Sequence, residues 1–184
     1  MKTLRIVPLL AALALSAIGP ASVLGAPSCH PIDASGVGQD LGGGNTVARI
    51  SDGGLLQGTT AASFAITGFS GTVASFAGTV TFTTNRATLT ANVAGTLDVA
   101  TGAFSATTSG MTGTGKLAGV TGSLAFDGLE DVATGAFSAT TSGMTGTGKL
   151  AGVTGSLAFD GLENLATGVF TETIGGSICV DLAP

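Results

Sequence analysis

The sequence predicts an all-β fold: one antiparallel β-barrel of the eight-stranded type, enlarged to about ten strands by a duplicated hairpin. Three observations predict it. Apolar and polar residues alternate in segment after segment from Ile32 onward, and no later stretch of ten to twelve residues shows a helical stripe. The 31 glycines provide turns between these segments. Finally, a unit of 33 residues occurs twice in tandem.

The first 26 residues have the pattern of a cleaved signal peptide. Lys2 and Arg5 form a positive start, residues 6–18 an apolar run too short for a convincing membrane span, and residues 19–26 are mostly small. We therefore expect an exported protein, secreted or periplasmic, without a membrane span. Residues 27–184 would form its single domain, since 184 residues favour one domain.

Alternation with a period of two marks the strands. Phe64 and Ile66 share one face of their segment, and Phe76, Val80 and Phe82 share one face of the next. Threonine, valine and phenylalanine, which favour a pleated surface, dominate these segments. We predict strands near residues 32–39, 46–51, 55–67, 72–84, 87–98, 103–111, 121–129, 136–144, 154–162 and 169–180.

The tandem copies are residues 99–131 and 132–164, and they differ only where Asp131 is replaced by Asn164. Each copy holds two strand patterns, AFSATTSGM and TGSLAFDGL, joined by GTGKLAGV, so each copy is a hairpin. Without one copy, eight strands remain, a common number for a closed barrel. Two added strands preserve the direction of every later strand. The hairpin could widen the barrel, protrude from it or exchange with a neighbour.

The two cysteines, Cys29 and Cys179, are predicted to form a disulfide because the chain is exported. Closing so long a loop would stabilise the fold by about 4 to 5 kcal/mol in the chain-entropy model. His30, the only histidine, lies between Cys29 and Pro31. That position is poor for a general base, and a Cys/His metal site would lack ligands.

The charge balance excludes some partners. Once Lys2 and Arg5 are removed, four basic residues remain against 11 acidic ones, a net charge of −7. Because phosphate binding depends on clustered lysine and arginine, we expect neither nucleic acid nor an anionic membrane as a partner.

Acidic residues cluster at the end of each repeat. Asp127, Glu130 and Asp131 could hold a calcium ion with backbone carbonyl groups, or could form a solvated turn. In the second copy the cluster recurs as Asp160 and Glu163, with Asn164 at the last position, which would weaken this second site. We predict no catalytic residues, no bound metal and no cofactor. The glycine-rich stretch 36–44 is interpreted as a flexible connection after the first strand.

Eight phenylalanines are the largest apolar side chains in the predicted strands. They would fill the interior or, in a barrel widened to ten strands, line a cavity for an apolar ligand. These are Phe64, Phe76, Phe82, Phe104, Phe126, Phe137, Phe159 and Phe170.

The segment GTGKLAGVTGSLAF, at residues 113–126 and again at 146–159, resembles the strand-turn signature of allene oxide cyclase and dirigent-type barrels. Exported bacterial proteins carry similar stretches. The resemblance implies an eight-stranded antiparallel barrel with an apolar interior. Dirigent-type pockets use tyrosine and arginine with aspartate, and this chain has no tyrosine. The resemblance therefore assigns no catalytic residue here.

These observations favour a secreted, non-enzymatic barrel that binds a small apolar ligand or serves as an extracellular interaction module. One alternative is an isomerase or cyclase of the allene oxide cyclase type, which would need a polar group buried among the phenylalanines. Another is a structural or adhesive surface protein, which a tandem repeat would suit. The oligomeric state is left open.

Overall fold

A computed structural model describes residues 27–180. The predicted signal peptide, residues 1–26, lies outside the described residues. In the described part, ten strands are joined by turns and three single-turn 3-10 helices, Gly54–Leu56, Gly115–Leu117 and Gly148–Leu150. The strands are β1 Ser28–Gly42, β2 Asn45–Ser51, β3 Gly58–Ser70, β4 Val73–Thr83, β5 Thr88–Asp98, β6 Ala103–Gly113, β7 Gly122–Glu130, β8 Ala136–Gly146, β9 Thr154–Glu163 and β10 Val169–Val180.

The sheet closes on itself as a ten-stranded antiparallel barrel. Each strand pairs with the next along the chain, and β10 returns to pair antiparallel with β1. Cys29 and Cys179 are direct partners in that last ladder and form a disulfide. We call the end of the barrel with this disulfide the disulfide end, and the opposite end, where β10 begins, the turn end.

The duplicated hairpin widens the barrel. The first copy supplies β6 and β7, and the second supplies β8 and β9, which take consecutive places in the ring. Three turns of similar sequence at the turn end begin with Asp98, Asp131 and Asn164. In each, the carbonyl oxygen of that residue accepts a hydrogen bond of 2.7 Å from a glycine N–H four residues later. Each copy of the repeat therefore contains the residues that form its turn.

A bulge recurs in both copies. Register shifts lie between Thr90 and Asn92 in the β5–β6 ladder and between Ser123 and Ala125 in the β7–β8 ladder. Opposite these shifts, Gly110 and Gly143 have φ of 57° and 60°, a conformation that glycine adopts without steric cost.

The predicted alternation places the apolar side chains inside. The largest core cluster contains 21 buried residues, among them Phe82, Phe126 and Phe159. A second cluster surrounds Phe64 and Phe76. A third consists of Ala48, Phe137 and Phe170. Buried threonines and glutamates also face inward, so the polar interior residues are Thr46, Thr60, Thr108, Glu130, Thr141, Glu163 and Glu172.

Leucines from the 3-10 helices fill the disulfide end. Leu56, Leu117 and Leu150 are each at most 4% exposed and belong to the largest cluster. The predicted strand near 55–67 was placed too early at its start, because residues 54–56 form one of these helices and β3 begins at Gly58. A packed apolar core therefore occupies this end.

The interpretation of residues 36–44 as a flexible connection was wrong. β1 continues to Gly42, and its glycines make room for side chains from β10. A Cβ atom at Gly38 would overlap the ring of Phe170, and one at Gly36 would lie 2.6 Å from Cγ of Glu172. These glycines therefore serve close packing inside the barrel.

Candidate functional site

The strongest candidate site is a group of polar and aromatic side chains on the inner face of β8 to β10 and β1. Glu172 lies at its centre. The sequence Phe170-Thr-Glu-Thr-Ile174 alternates, so Glu172 points inward with Phe170 and Ile174. Only 4% of Glu172 is exposed. A carboxyl group is thus enclosed by the barrel wall.

The pairing register of β9, β10 and β1 determines which residues lie beside Glu172. Glu172 pairs with Gly161 on β9 and with Gly36 on β1, both of which lack a side chain. Its own side chain leans over Gly36. The ring of Phe137 leans over Gly161 in the same way. Because both partners are glycines, there is room for large side chains beside the carboxyl group.

Two aromatic rings and a second carboxyl group complete the surroundings. The rings of Phe137 and Phe170 meet edge to face, with centroids 6.4 Å apart. Glu163, which is 1% exposed, is the direct partner of Phe170 and therefore a diagonal neighbour of Glu172. We refer to Phe137, Glu163, Phe170 and Glu172 as the carboxyl–aromatic group.

A third inward glutamate lies nearby in the ring of strands. Glu130 on β7 pairs with Phe137 on β8, just as Glu163 on β9 pairs with Phe170 on β10. Glu130 and Glu163 are thus equivalent positions of the two copies. Their backbone N–H groups donate to the carbonyl oxygens of Gly102 and Gly135, at 2.9 and 2.8 Å. The duplication has therefore doubled an inward carboxyl group at the turn end.

Burial changes the acidity of Glu172. Removal from water disfavours the charged form and raises the pKa of this carboxyl from 4.5 to about 7. Its Oε2 atom is buried and has no hydrogen-bond partner among the described residues. An enclosed oxygen without a partner costs stability, and a bound hydrogen-bond donor would satisfy it.

The raised pKa of Glu172 predicts that stability falls with rising pH. Between about pH 4.5 and 7 the folded chain retains a proton that the unfolded chain releases, so folding weakens across this window. The full loss, reached above about pH 7, is about 3 kcal/mol. In Glu172→Gln the pH-dependent loss of stability from this carboxyl should be absent. The variant should therefore be more stable than the parent chain at pH 8 and similar to it near pH 4. Urea unfolding at both values measures the difference.

Asp160→Asn is the matched control, because Asp160 lies on the outer, exposed face of β9. It should leave the pH dependence unchanged. An unchanged pH dependence in Glu172→Gln would show that this carboxyl does not lose its solvation on folding.

All eight phenylalanines predicted to fill the interior or line a pocket lie on inward positions. Seven are buried, and Phe104 is partly buried and packs against the two larger clusters. By contrast Phe69, the ninth phenylalanine, is 64% exposed. The structure brings Phe137 and Phe170 to Glu172 and places Phe82, Phe126 and Phe159 in the largest cluster.

The acidic residues proposed as calcium ligands point in different directions. On β7, Asp127 is exposed on the outer face, whereas Glu130 is buried inside. Asp131 accepts hydrogen bonds from the N–H groups of Ala133 and Thr134, which lower the pKa of its carboxyl. Within residues 27–180, no three acidic, histidine or cysteine residues converge as a metal site. Asp131 therefore acts as a turn residue.

The two cysteines and the histidine each have a partner in the structure. Cys29 is bonded to Cys179, and the Nε2 atom of His30 lies 3.2 Å from the hydroxyl of Ser28.

Glu172 was missed as a site residue, and Glu163 was considered only as a weaker calcium ligand of the second copy, although the alternation could have revealed the inward position of both. Glu172 is two residues from both Phe170 and Ile174. Glu163 is four residues from Phe159. Even spacing in a strand places both glutamates on the phenylalanine face. Grouping Glu130 with Asp127 by proximity along the chain concealed this.

The fold and site together define a closed, disulfide-linked antiparallel β-barrel with carboxyl groups in its interior. No family model matches the sequence, and neither a curated protein nor a solved structure matches it significantly. None of the helical segments in residues 27–180 has the length and apolar character needed to cross a membrane.

Proposed function

We propose that this chain is an exported, non-enzymatic barrel that binds a small molecule with an apolar body and a hydrogen-bond donor, such as an amine or hydroxyl group. The observation that carries the proposal is the buried Oε2 of Glu172, which has no hydrogen-bond partner among the described residues. Its location beside Phe137 and Phe170 suits an amphiphile whose donor reaches the carboxyl group while its body contacts the rings.

The packing of the barrel favours one half for binding. The disulfide end is filled by leucines of the 3-10 helices. Toward the turn end the apolar residues form two smaller, separate clusters, with inward glutamates and threonines nearby. Because discontinuous packing leaves more freedom to admit a guest than a continuous core, we expect entry from the turn end.

The test is a comparison of three ligands with the same chain length: decylamine, decanol and decanoate. At pH 8 the first two should raise the melting temperature and be retained in native mass spectra. Decanoate should not, because inward carboxyl groups repel its charge. Glu172→Leu should weaken decylamine binding about tenfold or more through loss of the charged acceptor.

Asp160→Asn again provides the control and should bind decylamine as the parent chain does. Two results would contradict the proposal. One is the absence of binding by any of the three ligands. The other is equal binding of decylamine by the parent chain and Glu172→Leu, which would place the ligand elsewhere.

A second function, isomerase or cyclase activity of the allene oxide cyclase type, is favoured by one observation. General acid–base catalysis at neutral pH needs a group whose pKa lies near 7, and burial gives Glu172 such a value. Glu172 also meets the expectation of a polar group buried among phenylalanines. It would transfer a proton within a reactive apolar substrate.

The two functions differ in the fate of the bound molecule. A binder releases its ligand unchanged, whereas an isomerase releases a product of equal mass and different structure. Incubation with unsaturated epoxides, followed by chiral chromatography, distinguishes them. Product formation that falls on Glu172→Gln substitution, with an inflection near pH 7, would favour the enzyme. Recovery of unchanged epoxide that binds would favour the binder.

A further inference from the structure

A cleft at the disulfide end of the barrel contains two of the four basic residues that follow the predicted signal peptide. Arg49 on β2 and Arg86 in the β4–β5 turn both line it. Its volume is about 650 Å³, within the range of small-molecule sites. It lies on the outer surface, away from the carboxyl–aromatic group.

Seven of the ten residues that line this cleft have polar side chains, and none of the ten is acidic. Besides the two arginines, hydroxyl and amide groups face the space, while buried Ile50 contributes to the floor. Neither guanidinium group forms an ion pair or hydrogen bond with another residue in 27–180. The polar side chains are those of Arg49, Gln57, Thr59, Thr83, Thr84, Asn85 and Arg86.

Both arginines stand on ordered backbone. Arg49 lies near the end of β2, paired with Val37 on β1 and Thr59 on β3. At the turn, the hydroxyl of Thr84 accepts hydrogen bonds from the N–H groups of Arg86 and Ala87, at 3.1 and 3.0 Å. The carbonyl oxygen of Arg86 accepts from the N–H of Lys116 at 3.2 Å. Both arginines therefore line one cleft from backbone positions that the fold determines.

We propose that this cleft binds the phosphate or sulfate group of a small polar molecule, with Arg49 and Arg86 contacting its oxygens. A guanidinium group presents paired N–H donors that match such an oxyanion. Gln57, Asn85 and the threonine hydroxyls would contact a polar body such as a sugar. The net charge of the chain is negative, so attraction of an anion here comes from local placement of the arginines rather than overall charge.

The cleft is too small and has too few cations for a nucleic acid. This site is separate from the proposed interior site and does not depend on it. Occupation of one can therefore be tested without the other.

The test is isothermal titration of the purified exported chain with inorganic phosphate, inorganic sulfate, glucose 6-phosphate and glucose. We expect glucose 6-phosphate to bind most tightly, the inorganic anions more weakly, and glucose not at all. Arg49→Gln and Arg86→Gln should each weaken glucose 6-phosphate binding about tenfold or more. Tighter binding of inorganic sulfate than of phosphate would assign the site to sulfate esters within the same chemistry.

Lys149→Gln is the control, because it removes one positive charge outside the cleft lining. It should leave the affinity nearly unchanged. Equal losses in Lys149→Gln and the arginine variants would show general charge attraction and overturn the proposal. So would binding of glucose as tight as that of its phosphate, or no binding of any anion. Melting curves of each variant confirm that it is folded.

Discussion

Deletion of residues 132–164 is expected to give a closed eight-stranded barrel that still forms the Cys29–Cys179 disulfide. The deletion removes β8 and β9 and joins Asp131 to Leu165. The new turn resembles the present ones, because the Oδ1 atoms of Asp131 and Asn164 both accept an N–H two residues later, at 2.9 and 3.0 Å. Glu130 would then face Phe170. Disulfide mapping, circular dichroism and a cooperative melt measure the outcome.

A deletion of one strand should behave differently. Removal of residues 132–148 takes out β8 and joins Asp131, just after β7, to Lys149, five residues before β9 begins. The following strands would then run in reverse. Cys179 would lie at the turn end, about 30 Å from Cys29 for a strand of ten residues. We expect this variant to aggregate without the native disulfide. Identical behaviour of the two deletions would contradict the pairing argument.

The second large effect is expected from removal of the disulfide. Cys29 and Cys179 are separated by 150 residues, and a crosslink over such a loop restricts the unfolded chain strongly. The double variant Cys29→Ser, Cys179→Ser should lose about 5 kcal/mol of stability in the chain-entropy model. Urea unfolding of the parent chain and the variant measures this loss.

Reduction of the parent chain with dithiothreitol is the matched control, since it opens the bond without changing other atoms. Reduced parent and double variant should have similar midpoints. A loss below about 1 kcal/mol in both would show that the ends are held by the β1–β10 ladder alone, and that the bond contributes little.

Much of the fold followed from local patterns. Alternation with a period of two gave strands that agree closely with the structure, because every strand of a closed barrel has one buried and one exposed face. The repeat predicted a hairpin in each copy, and two added strands preserve the direction of the later ones. Pairing of the cysteines was predicted from export, and the β1–β10 ladder brings the two together.

Other features depended on contacts between distant residues. The 3-10 helices carrying Leu56, Leu117 and Leu150 fill an opening that exists only once the sheet has closed. The length of β1 depends on Phe170 and Glu172 from the far end of the chain, which lie over its glycines. Composition alone, without knowledge of that contact, made residues 36–44 look like a loop.

One of the two candidate sites could have been predicted from a local pattern, and the other could not. Glu172 could have been identified from alternation alone, because it is in phase with Phe170 and Ile174. Arg49 and Arg86 could not, since only strand order brings β2 and the β4–β5 turn to one cleft. The raised pKa of Glu172 likewise results from burial by several strands and leaves no local signal.

The structure suggests how a duplication alters such a barrel. Adding one hairpin to an eight-stranded ring enlarges its circumference while keeping both ends antiparallel. The second copy also adds Phe137 and Glu163 to the inner face, beside Phe170 and Glu172. Two of the four members of the carboxyl–aromatic group therefore come from the added hairpin.

Segmental isotope labelling tests the ring of ten strands most directly. With only residues 132–184 labelled, the two copies become distinguishable, and filtered nuclear Overhauser effects report contacts between labelled and unlabelled strands. In a ten-stranded ring we expect backbone contacts from Ala139 on β8 to Gly128 on β7, and from Glu172 on β10 to Gly36 on β1. Backbone contacts from labelled Phe170 to unlabelled Glu130 would instead mean that β10 pairs with β7, with the second hairpin outside the ring, and would contradict the ten-stranded ring.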